Sequence, residues 1–591
     1  MSDKPQSIER PVGVGDGAAR FGSDVVAETL RALGIPYIAL NPGASYRGLH
    51  DSLVNHLGNE RPQMLVCLHE ESAVALAHGW AKVTERPMAA AVHSNVGLMH
   101  ATMAIFDAWC DRAPLLVIGA TGPVDAMKRR PWIDWIHTAA DQGALLRNYV
   151  KWDAQPASPQ AAQEALLRAY WLAGMAPMGP VYVNLDAGMQ EAPLAEAVPA
   201  TQPERYLPPA QGGVGADSLA EAASLLRTAR NPLILMGRVS RGTDSWAARV
   251  ALAEALGARV ATDLKVGAAF PTDHPLHIGA PAVFPGADIA AALREADVVL
   301  SLDWVDLGGT LRTACGGPPP GKIIQVSLDH QLHNGWSMDH QALPAVDLLL
   351  AGTPDAVVPG LLQALAVSPA DFAATPLQHP PLPPSAGAIG VGLLAHALRA
   401  ATSGREVSLL HVPLSWNGAD WPFRHPLDYI GTEGGGGIGA GPGVAVGAAL
   451  ALRGGTRLPV AVLGDGDFLM GATALWTAVH YRIPLLVVVA NNRSFYNDEV
   501  HQERVARMRN RPVENKWIGQ RLADPEIDLA ALARAQGALG FGPVTDATAL
   551  PALLAKAVES VAAGSVAVVD VRVEPGYTPA MAGAVTHETK P

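Results

Sequence analysis

The sequence predicts an α/β protein made of three doubly wound parallel-sheet domains. Short apolar, β-branched runs recur along the 591 residues and stop at glycine, proline or a polar residue, as strands buried on both faces do. Longer stretches between them carry apolar residues at helical spacing. Two proline-bearing connections, residues 199–213 and 379–387, the second containing Pro380-Pro381-Leu382-Pro383-Pro384, divide the chain into three blocks. Each block is long enough for one core.

The first 20 residues are polar and charged without an apolar centre. A disordered tail is expected there, with neither a secretory signal nor a membrane anchor. The first domain, 21–198, alternates helices with strands at 37–40, 87–93, 114–118 and 180–185. Within it Leu65-Val66-Cys67-Leu68 runs as a strand into His69-Glu70-Glu71, where a helix begins with carboxylates in its first turn. The central domain, 214–378, holds strands at 232–236, 258–262, 297–302 and 322–326. The third, 385–577, holds strands at 458–463, 485–490 and 566–573. A helix over 468–481 joins the first two of these, with Leu469, Ala472, Leu475 and Val479 on its apolar face.

Composition narrows the function. The net charge is −12, from 43 basic and 55 acidic residues, with no basic block, which argues against nucleic acid and anionic membranes and for a small-molecule partner. No apolar stretch reaches spanning length. Cys67, Cys110 and Cys315 are too few and too scattered for a disulfide framework or a zinc cluster, so the cytoplasm is the expected compartment. No repeat of solenoid period appears.

The most informative motif is Leu463-Gly464-Asp465-Gly466-Asp467, with Asn492 27 residues after Asp465. The segment reads strand, helix, strand, and parallel strands deliver Asp465 and Asn492 to one sheet edge. A carboxylate and an amide oxygen are hard ligands suited to Mg²⁺ or Ca²⁺. Gly464 and Gly466 let the backbone approach a diphosphate. The alternative, a surface loop with chance glycines and aspartates, does not account for both halves falling at strand ends.

This pattern resembles the thiamin diphosphate (ThDP) signature of the pyruvate-decarboxylase-like family. The resemblance implies metal ligation by Asp465, Asn492 and the carbonyl of Ser494. Gly464, Gly466, Asp467 and Phe495 join them as cofactor-binding residues. It also implies a catalytic glutamate nine residues before a helix glycine. Glu70 lies nine before Gly79, whereas Glu71 fits an ordinary helix-start charge. Such an acid drives the aminopyrimidine to the tautomer that activates the thiazolium carbon. In Gly436-Gly437-Ile438-Gly439, Ile438 stands where the family bends its cofactor, although Ala440-Gly441-Pro442-Gly443 departs from the usual continuation.

Within the family the chain is most similar to benzoylformate decarboxylase-like enzymes. The matching segments are Asn41-Pro42-Gly43, Leu68-His69-Glu70, Val92-His93-Ser94, Val150-Lys151-Trp152 and Ala474-Leu475-Trp476-Thr477-Ala478. The likeness implies proton-transfer roles for His93 and His274, and cofactor contact by Asn41, Pro42 and Gly43. It implies a lyase that decarboxylates a 2-oxo acid through a ThDP-enamine, or a carboligase of the acetolactate-synthase kind that forms a 2-hydroxy ketone. It also implies sites shared between subunits of a homodimer or homotetramer. Ala44 replaces the branch's carboxylate-binding serine, with Ser45 one step later, and Asn497, Asp498 and His501 replace its small, apolar pocket residues. A polar 2-oxo acid or a hydroxylated aldehyde acceptor is therefore expected. Flavin is not, because Leu302-Asp303-Trp304-Val305-Asp306 lacks the arginine of flavin-holding relatives. A nicotinamide enzyme or non-catalytic nucleotide scaffold is the reading from another class. It would rest on Gly212-Gly213-Val214-Gly215 and Gly308-Gly309, which lack the dinucleotide fingerprint's context.

Overall fold

A computed structural model of the chain describes residues 9–14, 17–206, 208, 213–317, 319–331, 343–366 and 388–577. The connection at 379–387 lies outside them. Three all-parallel sheets account for the strands. The first has six, in the order Gln63–Val66, Tyr37–Leu40, Met88–Val92, Leu115–Thr121, Pro180–Asp186, Asp153–Ala154. The second has five: Leu348–Leu350, Lys322–Val326, Val298–Leu302, Pro232–Met236, Arg259–Thr262. The third also has five: Val407–His411, Leu458–Gly464, Leu485–Asn491, Val566–Arg572, Leu539–Val544.

The predicted α/β architecture of doubly wound parallel sheets is the observed one. Central strands such as Leu115–Thr121 and Leu485–Asn491 are buried at every residue, because helices cover both faces and leave no position for a solvated side chain. Four strands escape the sequence reading, Asp153–Ala154, Leu348–Leu350, Val407–His411 and Leu539–Val544. All four are sheet edges. The expected tail is not free at Glu9, whose carboxylate accepts from Tyr481 Oη at 3.0 Å and whose carbonyl accepts from Asn59. No helix among the described residues is long and apolar enough to cross a membrane.

The expected helix over 468–481 is instead two, Asp465–Gly471 and Ala474–His480. A side chain at Gly471 would stand 2.2 Å from the carbonyl oxygen of Gly439, so the chain there runs against a neighbouring backbone. The next turn tightens to i,i+3 bonds, Leu475 to Ala472 and Trp476 to Thr473.

The first and third sheets are joined by the helices Glu70–Thr84 and Gly441–Leu452, whose backbones touch through glycine. A Cβ on Gly79 would lie 1.9 Å from the carbonyl oxygen of Val444, and one on Gly447 1.8 Å from that of Leu76. Backbone cannot yield as a side chain can. Gly447→Ala is therefore expected to destabilise the protein by about 1–3 kcal/mol, read as a lower denaturant midpoint. Gly317→Ala, in open space, should leave the midpoint unchanged.

Candidate active site

Strand Leu458–Gly464 pairs with Leu485–Asn491 in parallel, Gly464 opposite Ala490, so Asp465 and Asn492 leave the sheet at the same edge. One backbone donor joins them. Ser494 N–H reaches Asp465 Oδ2 at 3.2 Å and Asn492 Oδ1 at 2.9 Å. Arg493 turns the chain between them with a left-handed φ of 59°. Asp465 Oδ1 accepts from Gly466 N–H. The carboxyl is only 4% exposed, and burial pushes its pKa up to about 6 despite these donors.

The pair lies on the wall of a cavity of ≈ 1080 Å³. Gly464, Gly466, Asp467, Ser494 and Phe495 line the same wall, and Gly436, Gly437 and Ile438 face it. A side chain on Gly464 would meet open space, whereas one on Gly466 would enter the Phe495 ring. Asp467 ties the two walls together, because its Oδ1 accepts from Gly439 N–H at 2.7 Å and Gly441 N–H at 3.3 Å. Those bonds hold the loop on which Ile438 stands, 47% exposed. Asn497 and Asp498 also line the cavity. His501 does not: it lies exposed on the helix Tyr496–Met508, which corrects its placement in the pocket.

Glu70 opens the helix Glu70–Thr84. His69 caps that helix by accepting from Glu71 N–H. Glu70 is buried, 8% exposed, and its Oε2 lies 3.1 Å from His100 Nδ1. His93 stands beside it: a Cβ on Gly97 would be 3.1 Å from Glu70 Oε1 and 3.3 Å from His93 Cβ. Ser45 N–H donates to His93 Nδ1 and Ser45 Oγ lies 2.9 Å away, so Nδ1 accepts and the ring proton sits on Nε2. Burial, then the edge-on His137 ring, lowers the His93 pKa. Ser45 is occupied with His93 and with Ser94 N–H. Gly43 packs on the His93 ring, and Asn41 donates to the Cys67 carbonyl. Pro42 and Gly43 line a shallow neighbouring hollow.

His274 does not join either group. Its Nε2 pairs with Glu254 at 3.2 Å and its ring packs on Phe270, and it is absent from the cavity lining. Within one chain the Phe270 ring and Glu254 engage His274, away from the cavity wall. Glu70 does not line the cavity either. Ala81, Lys82 and Glu85 do, from the far end of the same helix. Eleven residues at helical rise place Glu70 about 16 Å from Ala81.

Three family models match consecutive parts of the chain: the N-terminal TPP binding domain of thiamine pyrophosphate enzymes over residues 20–145, their central domain over 219–342, and their C-terminal TPP binding domain over 415–571. The chain belongs to the thiamine pyrophosphate enzyme family. The enzyme is 27% identical over 499 residues to a probable 2-ketoarginine decarboxylase of Pseudomonas aeruginosa, covering 83% of each chain. To the benzoylformate decarboxylase of the same organism it is 27% identical over 485 residues, covering 79% of this chain and 85% of the relative. Its fold matches the 4-hydroxybenzoylformate decarboxylase of Rhodococcus jostii with a TM-score of 0.77 at 22% identity, over 94% of this chain and all of that one.

The residues present fit a divalent ion and a diphosphate. Asp465 and Asn492 offer oxygen ligands, the buried carboxylate has no cationic side chain paired to it among the described residues, and the space before Gly464 is open. Sequence reasoning passed over the pair behind them. His411 Nε2 lies 2.9 Å and 3.0 Å from the two oxygens of Glu433, and 3.8 Å from Asp467 Oδ2. Burial opposes charge on His411, but Glu433 outweighs it and holds the pKa at about 9. The signal for this pair was only a histidine ending an apolar run.

Proposed function

We propose that the enzyme is a ThDP- and Mg²⁺-dependent lyase that decarboxylates a polar 2-oxo acid. The observation that carries the reading is the buried Asp465–Asn492 pair, bridged by Ser494 N–H on the wall of the cavity. ThDP, when bound, supplies a nucleophilic thiazolium carbon that adds to the 2-carbonyl and accepts the electrons released with CO₂.

The chain supplies position, charge and proton transfer. Asp465, Asn492 and the Ser494 carbonyl hold the cation, and Gly464 and Gly466 admit the diphosphate. Phe495 closes that side. Asp467, through Gly439 and Gly441, fixes the loop of Gly436, Gly437 and Ile438, which would support the cofactor. Glu70, with Asn41, Pro42 and Gly43, comes from a second copy of the chain, because none of the four lines the cavity of its own chain. His93, beside Glu70 on that second copy, would relay a proton from solvent to the reacting carbon, charging to imidazolium before it donates. The same reading takes the protein as a cytoplasmic homotetramer without flavin.

Asn497, Asp498 and Tyr577 line the cavity, and Tyr577 Oη donates to Asn497 Oδ1 at 3.3 Å. A phenyl group would leave such groups unpaired at about 1–3 kcal/mol each, whereas a tail rich in hydrogen-bond donors would satisfy Asp498. The relative named as a 2-ketoarginine decarboxylase supports this class. Incubation with ThDP, Mg²⁺ and a panel of 2-oxo acids, with CO₂ and carbonyl products measured, tests it. A guanidino- or amino-tailed acid should exceed benzoylformate by about 10-fold or more in kcat/KM. Preference for benzoylformate would refute the polar pocket, and a 2-hydroxy ketone as main product would make the enzyme a carboligase.

A further inference from the structure

The mechanism above asks Glu70 to offer one carboxylate oxygen in a fixed direction, yet nothing in the sequence motif says what holds the other. The structure places a ring there. His100, on the helix Ser94–Cys110, brings Nδ1 to 3.1 Å from Glu70 Oε2. Oε1 lies instead toward Gly97, where a side chain would stand 3.1 Å from it. The glycine leaves that oxygen room.

The His100 ring, 59% exposed, is braced on one face. It stacks on His69 with centroids 5.2 Å apart and planes 18° from parallel. His69 cannot turn freely, because its Nδ1 accepts from Glu71 N–H at the start of the helix. Burial lowers the His69 pKa, the nearby Glu70 opposing, so the stacked partner is uncharged near neutral pH and does not repel a proton on His100. An ionised carboxylate only accepts, so the Nδ1–H of His100 is the donor in this pair.

We propose that His100 is a positioning residue for Glu70: its Nδ1–H bond to Oε2, braced by the His69 stack, presents Oε1 to the aminopyrimidine of the cofactor. This rests on the reading of Glu70 as the cofactor-activating acid. Titratable neighbours of the pair include Tyr46, His69, Glu71 and His93, and none of them is hydrogen-bonded to Oε2 among the described residues.

The test is the rate at which the thiazolium C–H of bound ThDP exchanges with D₂O, read by quenched NMR, beside ThDP affinity and the thermal midpoint. His100→Ala should bind ThDP normally and melt normally, but exchange about 10- to 100-fold more slowly. His100→Asn, whose Nδ2 can stand where Nδ1 stood and donate the same bond, should recover most of that rate. Glu70→Gln should exchange slowest. Normal exchange in His100→Ala while Glu70→Gln is slow overturns the role of His100 alone. Equal slowness of His100→Asn and His100→Ala, with both folded, overturns the hydrogen-bond account of it. Normal exchange in Glu70→Gln overturns the underlying reading of the site instead.

Discussion

Glu70→Gln is expected to lower kcat by about 10²–10⁴-fold while ThDP affinity and the thermal midpoint stay near wild type. The amide keeps the size of the side chain and can still meet His100 across the 3.1 Å contact. What it loses is the ability to give and take a proton. A defect in kcat without a matching defect in cofactor binding is the mark of an interaction used in the chemical step and not in holding the ground state. Steady-state kinetics on the best 2-oxo acid, paired with fluorescence titration of ThDP, checks both halves. Turnover near wild type would remove Glu70 from the mechanism.

Substitution at Asp465 should act on binding first. Asp465→Asn removes the only carboxylate that joins Asn492 at the bridging Ser494 N–H. Loss of a charged partner at a buried site is worth about 3–5 kcal/mol, so Mg²⁺-dependent ThDP binding should weaken by about 10²–10⁴-fold. The apo-protein should respond in the opposite direction. Burial pushes the Asp465 carboxyl up to about 6 from an ordinary value of 3.8. Between those values the folded form binds the extra proton, so stability falls as pH rises through that window and stays low above it. Asp465→Asn apo-protein should therefore melt above wild type at pH 7, and fall below it once Mg²⁺ and ThDP are added. Melting curves with and without both ligands decide this. The same order in both conditions would mean that the carboxylate holds no cation.

Much of this was legible in the chain, for stated physical reasons. Strands buried on both faces advertise themselves as apolar runs, and Pro232–Met236 and Lys322–Val326 have the boundaries read from sequence. Edge strands such as Asp153–Ala154 do not, since they are short and half-covered. The Asp465–Asn492 juxtaposition follows from parallel pairing alone. The contacts of His274 with Glu254 and Phe270 could not be read, because a resemblance in local sequence carries no information on which neighbours a loop meets. His100 went unread for the converse reason. A histidine in mid-helix, 30 residues from Glu70, gains meaning only when two helices pack side by side. The break at Ala472–Thr473 likewise depends on a tertiary neighbour, the Gly439 carbonyl, that no local pattern encodes.

Because Glu70 does not line the cavity of its own chain, a subunit-mixing experiment is the most direct test of the central claim, that Glu70 and Asp465 serve one site from two copies. Glu70→Gln and Asp465→Asn are each inactive alone on this account. Unfolded and reassembled together in equal amounts, they should regain about a quarter of wild-type activity, because half the dimers are mixed and each mixed dimer carries one intact site. No recovery beyond the sum of the two separate variants, with mixed dimers demonstrated by differential tagging, would contradict it.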